Sequence, residues 1–435
     1  MPIPPIPPGP AYLLRNATVA RTLVKQPWVF PGDSEFLRLD VAIENGRIAR
    51  LAPAGVLSAE AAADLDGGMV WPCFADIHTH LDKGHIWPRS PNPDGCADSA
   101  RTTVAADRAA NWAAADVQTR MRFGLRCAYA HGAKAVRTHL DSLGPQAAIS
   151  WPVFVAMREE WRGRIELQGV SLLPVTAFRD ATAGAELADI VARSGGILGA
   201  VTTVEPDLDR LLDRIFSLAE GRSLDLDFHV DETGDPQSRS LAHIAAVAIT
   251  RRFPGRIVAG HCCSLALQPT QDVDRTIDRV ARAGIGVVSL PMCNMYLQDR
   301  TAGRTPRWRG VTLLHEFAAR GVIVMAASDN CRDPFYAYGD HDPVEVLTQA
   351  VRIAHLDHPF GDWPRLVTAT PAKMMNADGY IAESAPADLV LFRARDYSEL
   401  LSRSQSDRVV LRVGQPIDRT LPDYRELDEL WETQP

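Results

Sequence analysis

Between residues 74 and 89 the chain reads "FADIHTHLDKGHIWPR", which sets His78, His80 and His85, Asp76 and Asp82, and Lys83 directly after the apolar stretch "MVWPC". Neutral imidazoles with a carboxylate suit zinc or ferrous iron, and three or four such ligands leave room for a water. A bound divalent cation lowers the pKa of that water toward about 7, which makes hydroxide available at neutral pH. Residues i and i+2 of a strand face one side, so His78 and His80 can point together. H-x-H is a weak signal by itself. It gains weight from more distant residues: His139 and Asp141 in "AKAVRTHLD", His229, Asp231 and Glu232 in "LDLDFHVDE", His261 in "RIVAGHC", and Asp329 in "GVIVMAASDN".

Each of those residues closes an apolar run. Eight such runs, each followed by helical text, cover 69–80, 133–141, 167–175, 195–203, 224–232, 256–262, 284–292 and 321–330. Beyond the first gap, which holds extra material such as "RSPNPDGCADSA", their starts lie about thirty residues apart, the length of a βα unit. Eight units make a (β/α)8 barrel, the TIM barrel, which places its chemistry at the C-terminal ends of its strands. A doubly wound open sheet is the alternative. It calls for a Gly-rich phosphate turn after the first strand, and "GGILGA" is a poor one. Of the twelve histidines, His78, His80, His139, His229 and His261 stop at the same edge, spread over four runs.

The flanks carry different text. Residues 11 to 70 alternate short apolar runs with turns, and Asn45-Gly46 between two of them signals a hairpin. β text returns in "ADLVLFRA" and "RVVLRVGQPI" near the other end. The expected division is a Pro-rich tail over 1–10, a small β-sandwich from 11–68 plus 380–420, a metal-dependent catalytic barrel over 69–379, and a C-terminal tail over 421–435.

The chain of 435 residues is 46% apolar and 23% charged, as a globular protein is, with a net charge of −8 and no Lys/Arg run for a phosphate backbone. Nucleic acid is not an expected partner. No apolar run reaches the roughly 18 residues of a membrane span, so no membrane is expected either. The seven cysteines are scattered without C-x-x-C pairs, as free thiols in a reducing cytoplasm would be. The start "MPIPPIPPGP" lacks the basic residues of a signal peptide, and the expected location is cytoplasmic. A homo-oligomer is compatible with all of this.

The combination of "HTHLDK", "VRTHLD", "DFHVDETGDPQSR", "GHCC", N-x-x-L-Q in "NMYLQDR", "TPRWRG" and "ASDNCRDPFYAYG" resembles the amidohydrolase superfamily, in its cytosine deaminase-like branch. The resemblance runs from about residue 70 to 376. It implies His78, His80, His229 and Asp329 as ligands of one divalent metal, zinc or iron. Glu232 takes the place of the acid that shuttles protons to substrate, and His261 that of the histidine that orients and deprotonates the water. Strand parity does not select Glu232. Asp231 shares the parity of His229, and only an early turn, which Thr-Gly-Asp-Pro allows, would bring Glu232 inward.

Binuclear members of that superfamily bridge two metals with a carboxylated lysine after strand four. This chain has lysines only at 25, 83, 134 and 373, none in or after "GGILGAVTT". The resemblance therefore implies a mononuclear aminohydrolase that removes an exocyclic amino group from a nitrogen heterocycle and releases ammonia. Two features depart from cytosine deaminases. Val175 sits in or beside the position of a substrate-binding glutamine, and the aspartate pair ending strand eight is Asp329-Asn330. A pterin, an isocytosine or a triazine is therefore as good a substrate as cytosine. The alternatives in function are hydrolysis of an alkylamine or cyclic amide C–N bond, as on s-triazines, and a non-catalytic binding barrel. Lys83, Val175, Asn330 and Phe335 are candidate substrate contacts. His139 and Asp141 are expected to support the ligands, and His85 is read as a loop residue without a role.

Overall fold

The computed structural model describes residues 3–431, so the first two residues of the Pro-rich stretch and the last four of the C-terminal tail lie outside the described residues. Eight parallel strands follow one another in the order of the chain: Phe74–Thr79, Ala133–Asp141, Glu166–Leu172, Leu198–Thr202, Leu226–Val230, Ile257–His261, Gly286–Ser289 and Val324–Ala326. The first three form one hydrogen-bonded sheet and the last five another. Parallel bridges Val170↔Ile197 and Pro174↔Val201 join the sheets on one side and Thr79↔Asp329 on the other, which closes a barrel. Inward side chains fill it. Ala75, Ala135, Val258, Val288 and Met325 come from five strands and pack in one cluster with Met374 and Met375.

Helices cover the outside wherever the apolar period shifts from 2 to 3.6. In Leu208–Glu220 the residues Leu208, Leu211, Leu212, Ile215, Phe216 and Ala219 are buried, an i, i+3, i+4, i+7 stripe against the barrel. Two helices, Ala97–Asn111 and Ala114–His131, occupy the long gap after the first strand. Arg89 ties that gap together by donating to Asp107 at 2.8 Å and Asp116 at 2.5 Å. None of the helices is long and apolar enough to cross a membrane, among the described residues.

Both chain ends supply a pair of four-stranded sheets. One runs in the order Arg47–Pro53, Phe36–Glu44, Ala11–Ala20, Ala62–Asp64, and the other Gln415–Pro416, Val409–Arg412, Leu389–Leu391, Val70–Pro72. Tyr12, Leu14, Val41, Ile43, Leu389 and Leu411 share one apolar cluster between them. Asn45 and Gly46 have φ of 50° and 76°, the left-handed pair that a tight hairpin needs. The first apolar run divides. Val70–Pro72 pairs antiparallel with Leu389–Leu391, and only after Cys73 does the chain enter the barrel. A continuous apolar run cannot announce that break, because both halves are fully buried.

Candidate active site

The loops after the barrel strands surround a cavity of about 230 Å³ whose lining includes His80, Lys83, His229, Glu232, His261, Asp329, Asn330 and Phe335. At its base, Nε2 of His229 lies 3.2 Å from Nε2 of both His78 and His80. Oδ1 of Asp329 is 3.5 Å from His78 Nε2 and 3.1 Å from His80 Nε2. Donors about 2.0–2.1 Å from a tetrahedral cation stand about 3.3 Å from one another, and these separations match that spacing. Neither carboxylate oxygen of Asp329 has a hydrogen-bond partner, although the residue is buried. Burial, followed by the neighbouring basic groups, holds His78, His80 and His229 well below the usual imidazole pKa, so their lone pairs are free. Burial pushes Asp329 up to about 7. Three neutral imidazoles and a buried carboxyl without a hydrogen-bond partner fit a divalent metal.

Local sequence explains how the strands deliver these groups. His261 and Asp329 have φ of 67° and 64°, so the chain turns sharply as it leaves the sixth and eighth strands. On the sixth strand Gly260 is required, because a Cβ there would come 2.9 Å from Cε1 of His78. Gly260→Ala is expected to push His78 off its position and cost the folded protein about one equivalent of metal relative to the unaltered chain, measured by elemental analysis with circular dichroism.

The fifth strand ends at Val230, and Asp231 turns at φ 50°. Its carboxylate accepts from the backbone N–H of Ser240 (2.9 Å) and Leu241 (3.0 Å) and from the Ser238 hydroxyl (2.7 Å), which caps the following helix. Glu232 is thereby left to face the cavity, where its Oε1 has no hydrogen-bond partner and lies 3.6 Å from Nδ1 of His261. Asp231→Ala should keep the metal and cost about 1–2 kcal/mol of stability, the worth of a lost cap, measured by urea unfolding.

His261 is fixed by Asn294, whose Oδ1 is 2.9 Å from its Nδ1; with the proton on Nδ1, Nε2 keeps its lone pair, and that atom is buried without a partner. Gln298 donates to the Glu232 carbonyl at 3.3 Å. These are the two polar ends of N-x-x-L-Q. The motif was visible in the sequence, but the work of its side chains was not. His139 packs on His78 with ring centroids 4.0 Å apart and reaches no cavity surface, whereas Asp141 lines the cavity and pairs with Arg108 at 2.8 Å.

The candidate substrate contacts divide. Lys83 and Phe335 both line the cavity, with Nζ 4.9 Å from the ring centroid. Burial alone would lower the Lys83 pKa, but Asp141, Asp333, Asp82 and Asp329 outweigh it and raise it, so the ammonium stays charged. Asn330 is also at the cavity, with its amide N–H committed to Asp333 at 2.7 Å. Val175 is corrected. The third strand stops at Leu172, the chain turns at Pro174, and Val175 heads a short helix with its side chain in the main apolar core. Leu172, Leu173, Pro174 and Val201 line the cavity in its place. Arg101 and Arg108, from the helix after the first strand, also reach the cavity, and helical text carried no signal for them.

A model of the amidohydrolase family matches residues 171–417. The chain is 55% identical over 426 residues to a pterin deaminase of Rhizobium rhizogenes (strain K84), covering 97% of each. A 5-methylcytosine deaminase from Klebsiella pneumoniae superposes with a TM-score of 0.81 at 22% identity, over 94% of this chain and 98% of that one. An N-isopropylammelide isopropylaminohydrolase from Burkholderia multivorans does so with a TM-score of 0.75 at 25% identity, over 94% and 98%. With the family match spanning more than half of its residues and the strand-end histidines gathered around one cavity, the chain belongs to the amidohydrolase family.

Proposed function

We propose that this protein is a mononuclear, metal-dependent deaminase of a pterin or a closely related flat heterocycle with an exocyclic amine. The observation that carries this reading is the full-length 55% identity to a pterin deaminase, on a barrel whose cavity combines a cation-fitting donor set with Glu232 and His261. His78, His80, His229 and Asp329 hold the cation, zinc or iron. When bound, the cation supplies the Lewis acidity that makes water nucleophilic at neutral pH.

The residues of the chain do the rest. His261 Nε2 and Asp329 face the water and take its proton. Glu232 donates to a ring nitrogen as water adds to the amine-bearing carbon. It then collects the proton taken from the water and passes it to the departing amine, and as ammonia leaves, the added hydroxyl returns its proton to Glu232 and a ring carbonyl remains. Phe335 and the leucines of the cavity wall hold the ring flat, and Lys83 with Asn330 offers polar contacts at its edge. His78, His229 and His261 sit at the ends of barrel strands, and His80, Glu232 and Asp329 follow within three residues of a strand end, which keeps the proton donors aligned with the reacting carbon. The cytoplasm is the proposed location, since all seven cysteines are free.

A second reading, release of an alkylamine from a triazine, is favoured by the likeness to the isopropylaminohydrolase. A product screen decides between them. The purified protein is expected to release ammonia from pterins and to yield the ring-oxo product intact. Freed alkylamine from alkylamino-triazines, with no ammonia from any pterin, would replace this reading with the second.

A further inference from the structure

The loops that follow the first and eighth barrel strands meet a second time behind the cavity. The backbone N–H of His85 donates to the Cys331 carbonyl at 2.9 Å, and that of Trp87 to the Arg332 carbonyl at 2.9 Å. At this seam one donor atom each from His85, Cys331 and His341 lies within 4.8 Å of the others. The three side chains are 1%, 1% and 2% exposed. Both ring nitrogens of His85 and Nε2 of His341 have no hydrogen-bond partner, which is costly for buried imidazoles. Nδ1 of His341 is accounted for by the Ser328 hydroxyl at 3.3 Å, and the Cys331 thiol by the Gly339 carbonyl at 3.2 Å.

We propose that His85, Cys331 and His341 form a second cation site, separate from the catalytic one, that takes a zinc-like ion and clamps the two loops together. Two imidazoles and a thiolate are a zinc-type donor set. A closed tetrahedral shell has edges of about 3.3–3.7 Å, so binding draws the three groups together by about 1 Å, a movement within reach of side-chain rotation. The Cys331 proton leaves to solvent as the sulfur–metal bond forms, so one proton is released per ion bound.

The surroundings tolerate the charge. Burial, and after it Asp340, hold the Cys331 thiol well above its usual pKa, so its proton is given up only when a cation binds, while Asp340 favours positive charge at both Cys331 and His341. Of the two guanidiniums that act on His85, Arg120 is paired with Asp116 at 2.5 Å, and Arg332 lies 4.2 Å over the ring of Tyr424. Gly124 keeps the space clear, since a Cβ there would stand 3.3 Å from His341 Nε2 and 2.9 Å from Leu81. The clamp has a use. One loop carries His80 and Lys83, and the other carries Asp329, Asn330 and Phe335, all of which line the catalytic cavity.

The test is to strip the full-length protein of metal, reload it with Co²⁺, count bound ions and record the near-ultraviolet spectrum. The proposed catalytic ligands include no sulfur, so a thiolate-to-cobalt band reports the second site alone. The expected result is two equivalents and a thiolate band. Cys331→Ser and His85→Ala should each lose one equivalent and the band, while Cys293→Ser, whose thiol lies by Asn330, should keep both. One equivalent without a thiolate band in the unaltered protein overturns the second site and leaves the catalytic cation in place. A band that survives Cys331→Ser and disappears in Cys293→Ser overturns it equally. The unaltered protein is decisive even where a variant does not fold.

Discussion

Glu232→Gln is expected to keep as much metal as the unaltered protein and lose turnover by about 10²–10⁴-fold, the usual worth of a positioned general acid and base. The amide is nearly isosteric and can still donate a hydrogen bond, but it cannot collect a proton in one step and release it in the next. Glu232 is outside the cation's donor cluster, its Oε1 without a hydrogen-bond partner and 3.6 Å from His261 Nδ1, so the change leaves the ligand atoms alone. Ammonia release and elemental analysis on the same preparation check both halves. Activity within a few-fold of the unaltered protein would remove Glu232 from the proton relay, and loss of metal would recast it as a ligand.

His229→Ala is expected to lose the metal and, with it, several kcal/mol of transition-state stabilisation, about 10³-fold or more in kcat/KM. His229 is chosen because its Nε2 is the common neighbour of His78 and His80, 3.2 Å from each. Without it, two imidazoles and Asp329 remain, one donor fewer than the proposed set, so the cation is held more weakly and a chelator is expected to strip it. The fifth strand stays paired on both sides, so the barrel should persist. Retention of as much metal as the unaltered protein, together with measurable turnover, would mean that another group such as His261 completes the shell; its donor atom already lies within 4.8 Å of those of His78, His229 and Asp329.

These two results would test assignments of different origin. The family resemblance selects the four proposed ligands from a wider set of residues, which itself follows from strand periodicity and strand ends, since a barrel aims successive strand termini at one mouth. Glu232 follows from neither. Parity favoured Asp231, and the decision lay in one residue turning at φ 50° so that its carboxylate capped a helix nine residues further on.

What the sequence determined by itself was the framework: eight βα units, sheets from both ends, and histidines whose spacing reports a shared edge. Periodicity is a local property, so it survives in one dimension. The tertiary structure alone decided where each strand stops, and with it which neighbour faces the cavity. It split the first run at Cys73, turned Val175 into the core, set Asn294 behind His261, and brought His85 to Cys331 and His341 where the loops of the neighbouring first and eighth strands meet. Such outcomes depend on hydrogen bonds and packing between residues tens to hundreds of positions apart, and no spacing rule encodes them. Hence "HTH" could be read as a ligand pair from its spacing together with the distant strand-end residues, while the third histidine of the same stretch met Cys331 and His341 only once the chain had folded.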